Sequence, residues 1–178
     1  MILLAGVGYS HLRDMSFGPL LVERLRRETW PDDVEIQDLS YGPVAVVQWL
    51  QDEPGRFERA IIIGAVERGR QPGTLTRYRW LAPELSSAEI QDRVSEAVTG
   101  VIGLENLLII ADYFGALPSN TTVIEAEPLD LEWGTEPSAL IERRLGDLLQ
   151  ELREEFGSTG PTAGRARTVA AAQRGARA

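Results

Sequence analysis

Apolar residues come in short runs cut by glycine, proline and acidic turns, and their spacing switches between a strand-like and a helix-like period. Ile2-Leu3-Leu4-Ala5 is a continuous apolar run closed by Gly6-Val7-Gly8, the form of a parallel strand buried on both faces. After a polar stretch and Gly18, residues 19–27 place Leu21, Val22 and Leu25 on one helical face. Pro19 suits the first turn of that helix, where a missing N–H costs nothing. Residues 34–39 alternate as a strand does, Gly42-Pro43 breaks the chain, and residues 44–50 are a short helical candidate. Arg59-Ala60-Ile61-Ile62-Ile63-Gly64 is β-branched and bounded by glycine, and is predicted at the centre of a parallel sheet.

Residues 67–74 form a polar loop, and Leu75-Thr76-Arg77-Tyr78-Arg79-Trp80 alternates as a hairpin or edge strand. Ser86-Ser87-Ala88-Glu89 has the spacing of a capping box, opening a helix that turns Ile90, Val94 and Val98 inward and ends near Gly100. Leu107-Leu108-Ile109-Ile110-Ala111 fits either a strand or the buried turns of a helix, because periodicity alone does not separate them. A strand follows at 121–126, then a loop at 127–136. A last helix opens at Pro137 with Leu140, Ile141, Leu145, Leu148, Leu149 and Leu152.

Strands alternating with helices imply a three-layer α/β/α sandwich with a mostly parallel sheet and right-handed crossovers. Ligands in such folds gather at the carboxyl ends of the strands, which directs attention to the loop after the first strand. Residues 1–157 read as one domain. Residues 158–178 are rich in Gly, Ala, Arg and Thr, with one valine and no aromatic residue, and are expected to form a disordered tail.

Composition narrows the chemistry. Cysteine is absent, which excludes disulfides, thiolate metal sites and cysteine nucleophiles. No apolar run reaches the roughly 20 residues of a membrane span, and no basic stretch precedes the first apolar run as in a signal peptide. A cytoplasmic protein is expected. The net charge is −9, unevenly spread. The tail carries four arginines and no acid, leaving 14 arginines against 27 acids and a body of −13. An acidic body argues against a nucleic-acid surface, since phosphate contacts need clustered cations.

Asp14 and Asp38 stand beyond or at the ends of the first two strands, where paired carboxylates could share a proton or a metal; aspartate also caps turns. His11 is the sole histidine, so no Ser-His dyad or imidazole cluster is patterned. Gly6-Val7-Gly8 lacks the third glycine of a dinucleotide fingerprint, which His11 replaces. Tyr78, Trp80, Phe114 and Trp133 flank loops and either line a peptide groove or pack the rim of the core.

In order along the chain these signposts resemble the hydrogenase maturation proteases, which remove a C-terminal extension from the large subunit of nickel–iron hydrogenases. The family opens with an apolar strand, Gly-x-Gly-Asn, an acid pair and a glycine before a helix. Gly6, Gly8, Asp14 and Gly18 match that spacing, with Tyr9 at the asparagine. Asp38 matches the aspartate ending the second strand, though the glycines after it are missing. Pro72-Gly73-Thr74, Gly115-Ala116-Leu117-Pro118, Pro128 and Gly134 also follow the layout, over roughly residues 1 to 155.

The resemblance implies three nickel-sensing positions: the second acid of the opening loop, an acid ending the third strand, and a histidine opening the next helix. They fall on Met15, Gly64 and Ala88 (or Glu89). Met15, Gly64 and Ala88 offer neither the carboxylate oxygen nor the imidazole nitrogen that a divalent metal takes. Gly6, Gly8, Met15, Gly64 and Ala88 would then frame a site without a metal, and no cofactor is expected. The implied role is binding a hydrogenase large subunit or another maturation factor, with metal-dependent peptidase activity lost. Two alternatives remain at this point. One is a working endopeptidase with a displaced acid site of Asp14, Asp38 and Glu67 or Glu89. The other is a nucleotide or anion binder using free N–H groups above Gly8.

Overall fold

A computed structural model describes residues 1–98 and 103–157. The expected tail at 158–178 and the helix end near Gly100 lie outside the described residues. Five strands form one sheet: β1 (Ile2–Val7), β2 (Val34–Asp38), β3 (Arg59–Ala65), β4 (Leu75–Arg79) and β5 (Asn120–Ala126), in the order β2-β1-β3-β5-β4. Every pairing is parallel except β4 against β5. The edge strand β4 is thus the one that runs the other way, with Arg77 and Arg79 on it blunting the free edge.

Alternation along the strands builds two cores. Leu3, Ala5, Val7, Ala60, Ile62 and Val123 face one side, against α2 (Pro43–Asp52) and α4 (Leu104–Tyr113). Leu4, Ile61, Ile63, Ile124 and Ala126 face the other, against α1 (Phe17–Leu25) and α5 (Ala139–Phe156). The three-layer α/β/α sandwich is therefore as expected. The open segment at 107–111 belongs to α4, and its wide apolar face packs both on the sheet and on a further helix, α3 (Ser87–Val98).

The capping box forms: the Ser86 N–H donates to Glu89 at 2.8 Å, and the Glu89 N–H donates to the Ser86 hydroxyl at 3.4 Å. Helix α3 departs from expectation at its end, where Val98 is 77% exposed and Ala97 is buried. At about 3.6 residues per turn, a residue seven positions after Ile90 returns to the same face, whereas the eighth swings past it.

The first loop is set by close backbone approach. A Cβ at Gly18 would lie 2.4 Å from the Val7 carbonyl oxygen and 2.6 Å from that of Ile63, so α1 enters directly beneath the ends of β1 and β3. A Cβ at Gly6 would meet the Gly18 carbonyl oxygen at 2.3 Å. These glycines are needed for contact between elements, a stricter demand than a tight turn.

Candidate functional site

Four loops meet at the carboxyl edge of the parallel strands: 8–16 after β1, 39–42 after β2, 66–74 after β3 and 127–138 after β5. Asp14 is fully buried among them, in a 3-10 turn at Arg13–Ser16. Its carboxylate accepts the N–H groups of Leu129 (2.9 Å), Asp130 (2.8 Å) and Ser138 (2.6 Å) and the Ser138 hydroxyl (2.9 Å). Ser138 is the N-cap of α5, so the carboxylate lies where helix-end N–H groups point at an anion. Neighbouring contacts close the same joint. Arg13 donates its N–H to Gly134 (3.0 Å) and its guanidinium to Asp130 (2.6 Å), and the Gly134 N–H donates to the His11 carbonyl (3.0 Å). Arg13 holds φ +33°, a strained value for a side-chain-bearing residue.

Asp38 is turned to a different task. Its carboxylate accepts the Ser40 N–H at 3.0 Å, and the Ser40 hydroxyl accepts the Gly8 N–H at 3.1 Å. The two aspartates therefore do not share a proton-binding partner: Asp14 serves the loop before α5 and Asp38 the turn after β2. The Gly8 N–H is taken by Ser40 and the Tyr9 N–H by the Met15 carbonyl, so neither of these two is free for the anion-binding alternative. His11 and Glu67 are exposed, and Glu89 is engaged in capping α3.

The positions singled out as metal-ligand sites are met differently. Met15 is half-buried and packs with the α1–α5 core. Gly64 is buried at the end of β3, where a Cβ would lie 2.8 Å from the Val7 carbonyl oxygen and 3.3 Å from Leu104 in the first turn of α4. The helix opening beside Gly64 is thus α4, while Ala88 is exposed in the first turn of α3. The sequence-based choice of Ala88 followed chain order; packing sets the first turn of α4 beside Gly64 instead, and the acid in that turn, Glu105, is met by Arg68 at 3.5 Å. Among the described residues no group of three or more His, Asp or Glu side chains could hold a metal ion. The donor set does not fit the metal that the resemblance implied.

Beside Gly64 on the sheet lies a group that the sequence reading missed. Glu125, the register partner of Gly64, is 1% exposed. It accepts from Arg68 (2.9 Å), Arg70 (2.8 Å) and the Tyr78 hydroxyl (2.8 Å). Burial pushes its carboxyl up, but the donors from Arg68, Tyr78 and Arg70 together hold it below the ordinary carboxylate range. Tyr78 is pushed up to about 12 by burial and then by its hydrogen bond to Glu125. Two positions on, the Glu127 carboxylate accepts the N–H groups of Arg68 (3.0 Å) and Gly69 (2.9 Å). Guanidinium groups thus neutralise Glu125, while backbone N–H groups hold Glu127.

A mostly parallel five-stranded sheet between helices, with loops converging beside a glycine-lined first turn, places the chain in the three-layer α/β/α class. The chain is 28% identical to the hydrogenase 2 maturation peptidase of Thaumarchaeota archaeon SCGC_AB-539-E09, covering 88% of this chain and 97% of that one with a TM-score of 0.61. An endopeptidase from Escherichia coli is 30% identical over 86% of this chain and 93% of its own, with a TM-score of 0.58. The hydrogenase expression/formation protein HupM of Azotobacter chroococcum mcd 1 is 31% identical over 133 residues, 74% of this chain. The chain spans 59% of the length of that relative. No family model matches. The chain belongs to the hydrogenase maturation protease family.

Proposed function

We propose that this chain acts in the maturation of the nickel–iron hydrogenase large subunit, in the cytoplasm, by binding a hydrogenase subunit or another maturation factor without metal-dependent peptidase activity. The observation carrying this reading is the surroundings of Gly64. Leu104 and the Val7 carbonyl occupy the space that a ligating side chain there would need, and Met15 packs into the core. The adjacent carboxylate, Glu125, already has two guanidinium partners and a phenol donor. Membership of the family supports the pathway, and the packing supports the loss of cleavage.

The test is incubation with a purified, nickel-loaded large-subunit precursor, following the C-terminal extension by intact mass. Binding without loss of the extension is the expected result. Release of the extension at a rate that scales with this protein's concentration would overturn the loss of activity, and absence of binding would overturn the large subunit as the partner.

A further inference from the structure

The segment from Leu129 to Ser138 is pinned at both ends by one buried group. Asp14 accepts from Leu129 and Asp130 at its entrance and from Ser138 at its exit, which closes the segment as an Ω-loop. The Arg13–Asp130 pair and the reciprocal contacts of Gly134 with Arg13 and His11 hold its middle. Its apolar side chains nevertheless face water: Leu129 is 56% exposed, Leu131 45% and Trp133 79%. Nowhere else among the described residues do three large apolar side chains stand exposed within five positions.

A lone exposed leucine needs no explanation, but a run of them with a tryptophan on an anchored backbone does. A loop held in place has already lost much of its conformational entropy, so docking costs less than for a loose one. Trp133 has the size and amphipathic ring of an interface anchor. The charges left unmatched on the ridge are of one sign. Glu132 and Glu136 are exposed and make no ion pair among the described residues, while Asp130 is already matched by Arg13.

Resting on the function proposed above, we infer that residues 129–136 are the ridge on which the partner polypeptide docks, and that the partner meets it with an apolar pocket rimmed by Arg or Lys. A second copy of this chain is a poor occupant, since its net charge of −9 would set like charge against Glu132 and Glu136.

The experiment measures equilibrium binding of the large-subunit precursor from the same host to the full chain and its variants. Trp133→Ala is expected to weaken binding by about 30-fold, the size of a hot-spot truncation, with Tm unchanged because the ring is solvated. Replacing Glu132 and Glu136 together by Lys should weaken binding several-fold and reduce its salt dependence. Leu81→Ala, at an exposed position beyond β4 on the opposite edge of the sheet, should change nothing. If the wild type binds and the ridge variants bind equally well, the ridge is overturned and the proposed function stands. If the wild type does not bind the precursor, this inference falls together with the large subunit as the proposed partner. A dimer in sedimentation that Trp133→Ala dissolves would assign the ridge to a second copy and overturn the proposed partner.

Discussion

Asp14 and Glu125 both lie buried at the carboxyl edge of the sheet, yet they are held in opposite ways. Asp14 is surrounded by neutral donors, three backbone N–H groups and one hydroxyl, and its charge faces the N-terminus of α5. Glu125 is neutralised by two arginines, with Tyr78 as a third donor. The first joins loops more than 110 residues apart in sequence, with donor separations of 115 to 124. The second ties a strand to the loop beside Gly64. A buried carboxylate is therefore no sign of chemistry by itself; its donors say whether it braces backbone or balances charge. Here neither is left open for a cation.

The contrast predicts different costs of removal. Asp14→Ala leaves four donors facing a cavity, and at 1–3 kcal/mol for each unsatisfied group, only partly additive, the loss should be about 4 kcal/mol or more. Urea unfolding of the full chain measures it. Asp14→Asn should cost less, about 1–3 kcal/mol, because the amide oxygen can still serve one side of the carboxylate site while its NH2 meets an N–H on the other. Hydrogen exchange sharpens the point: the amides of Leu129, Asp130 and Ser138 should exchange faster in Asp14→Asn, while β3 and β5 stay protected. Uniform acceleration across the sheet would mean that Asp14 supports the whole fold rather than one joint.

Glu125→Gln should rank next. Breaking a buried pair costs about 3–5 kcal/mol when the remaining charge is trapped. Arg68 and Arg70 keep about a third of their side-chain surface in water, 32% and 31%, so they can turn outward, and about 2 kcal/mol is expected. A loss as large as that of Asp14→Ala would break the distinction drawn between the two carboxylates.

How these sites relate to the sequence follows from the range of their contacts. The strands were legible because their apolar runs are local, and the α/β/α layering followed from their order. Helix α4 was ambiguous because it packs on both the sheet and α3, which leaves little polar face to reveal a period. Asp14 and Asp38 could be singled out by position, but their partners could not, since Ser138 lies 124 residues from Asp14. Glu125 did leave a signal that was passed over. It occupies an inward position two residues after Val123 in a buried strand, where an acid requires a partner, and Tyr78 and Arg70 lie on and before the neighbouring strand. For Trp133 the sequence left a peptide groove and a packed rim both open. Its exposure became visible only once the loop was seen pinned by its backbone.

The smallest effect separates the two carboxylates by pH. Glu125 has its pKa lowered in the folded state, so its stabilisation is present above the unfolded value near 4.5 and is lost as pH falls through the folded value. Glu155 is lowered too, by its hydrogen bond from Arg77 against burial and with help from Arg59, and adds to the loss in the same acid range. Tyr78 acts at the other end. Its folded value of about 12 stands above 10.0, so its contribution is complete below pH 10 and disappears between 10 and 12. Absorbance titration of the phenols should show a late component near pH 12 that Tyr78→Phe removes. That variant should cost about 1 kcal/mol at neutral pH, one hydrogen bond to a charged acceptor whose other donors remain. Glu125→Gln should move the same phenol toward its ordinary value, whereas Asp14→Asn should leave it in place. A shift in the Asp14 variant would show that the two carboxylates are coupled through the edge.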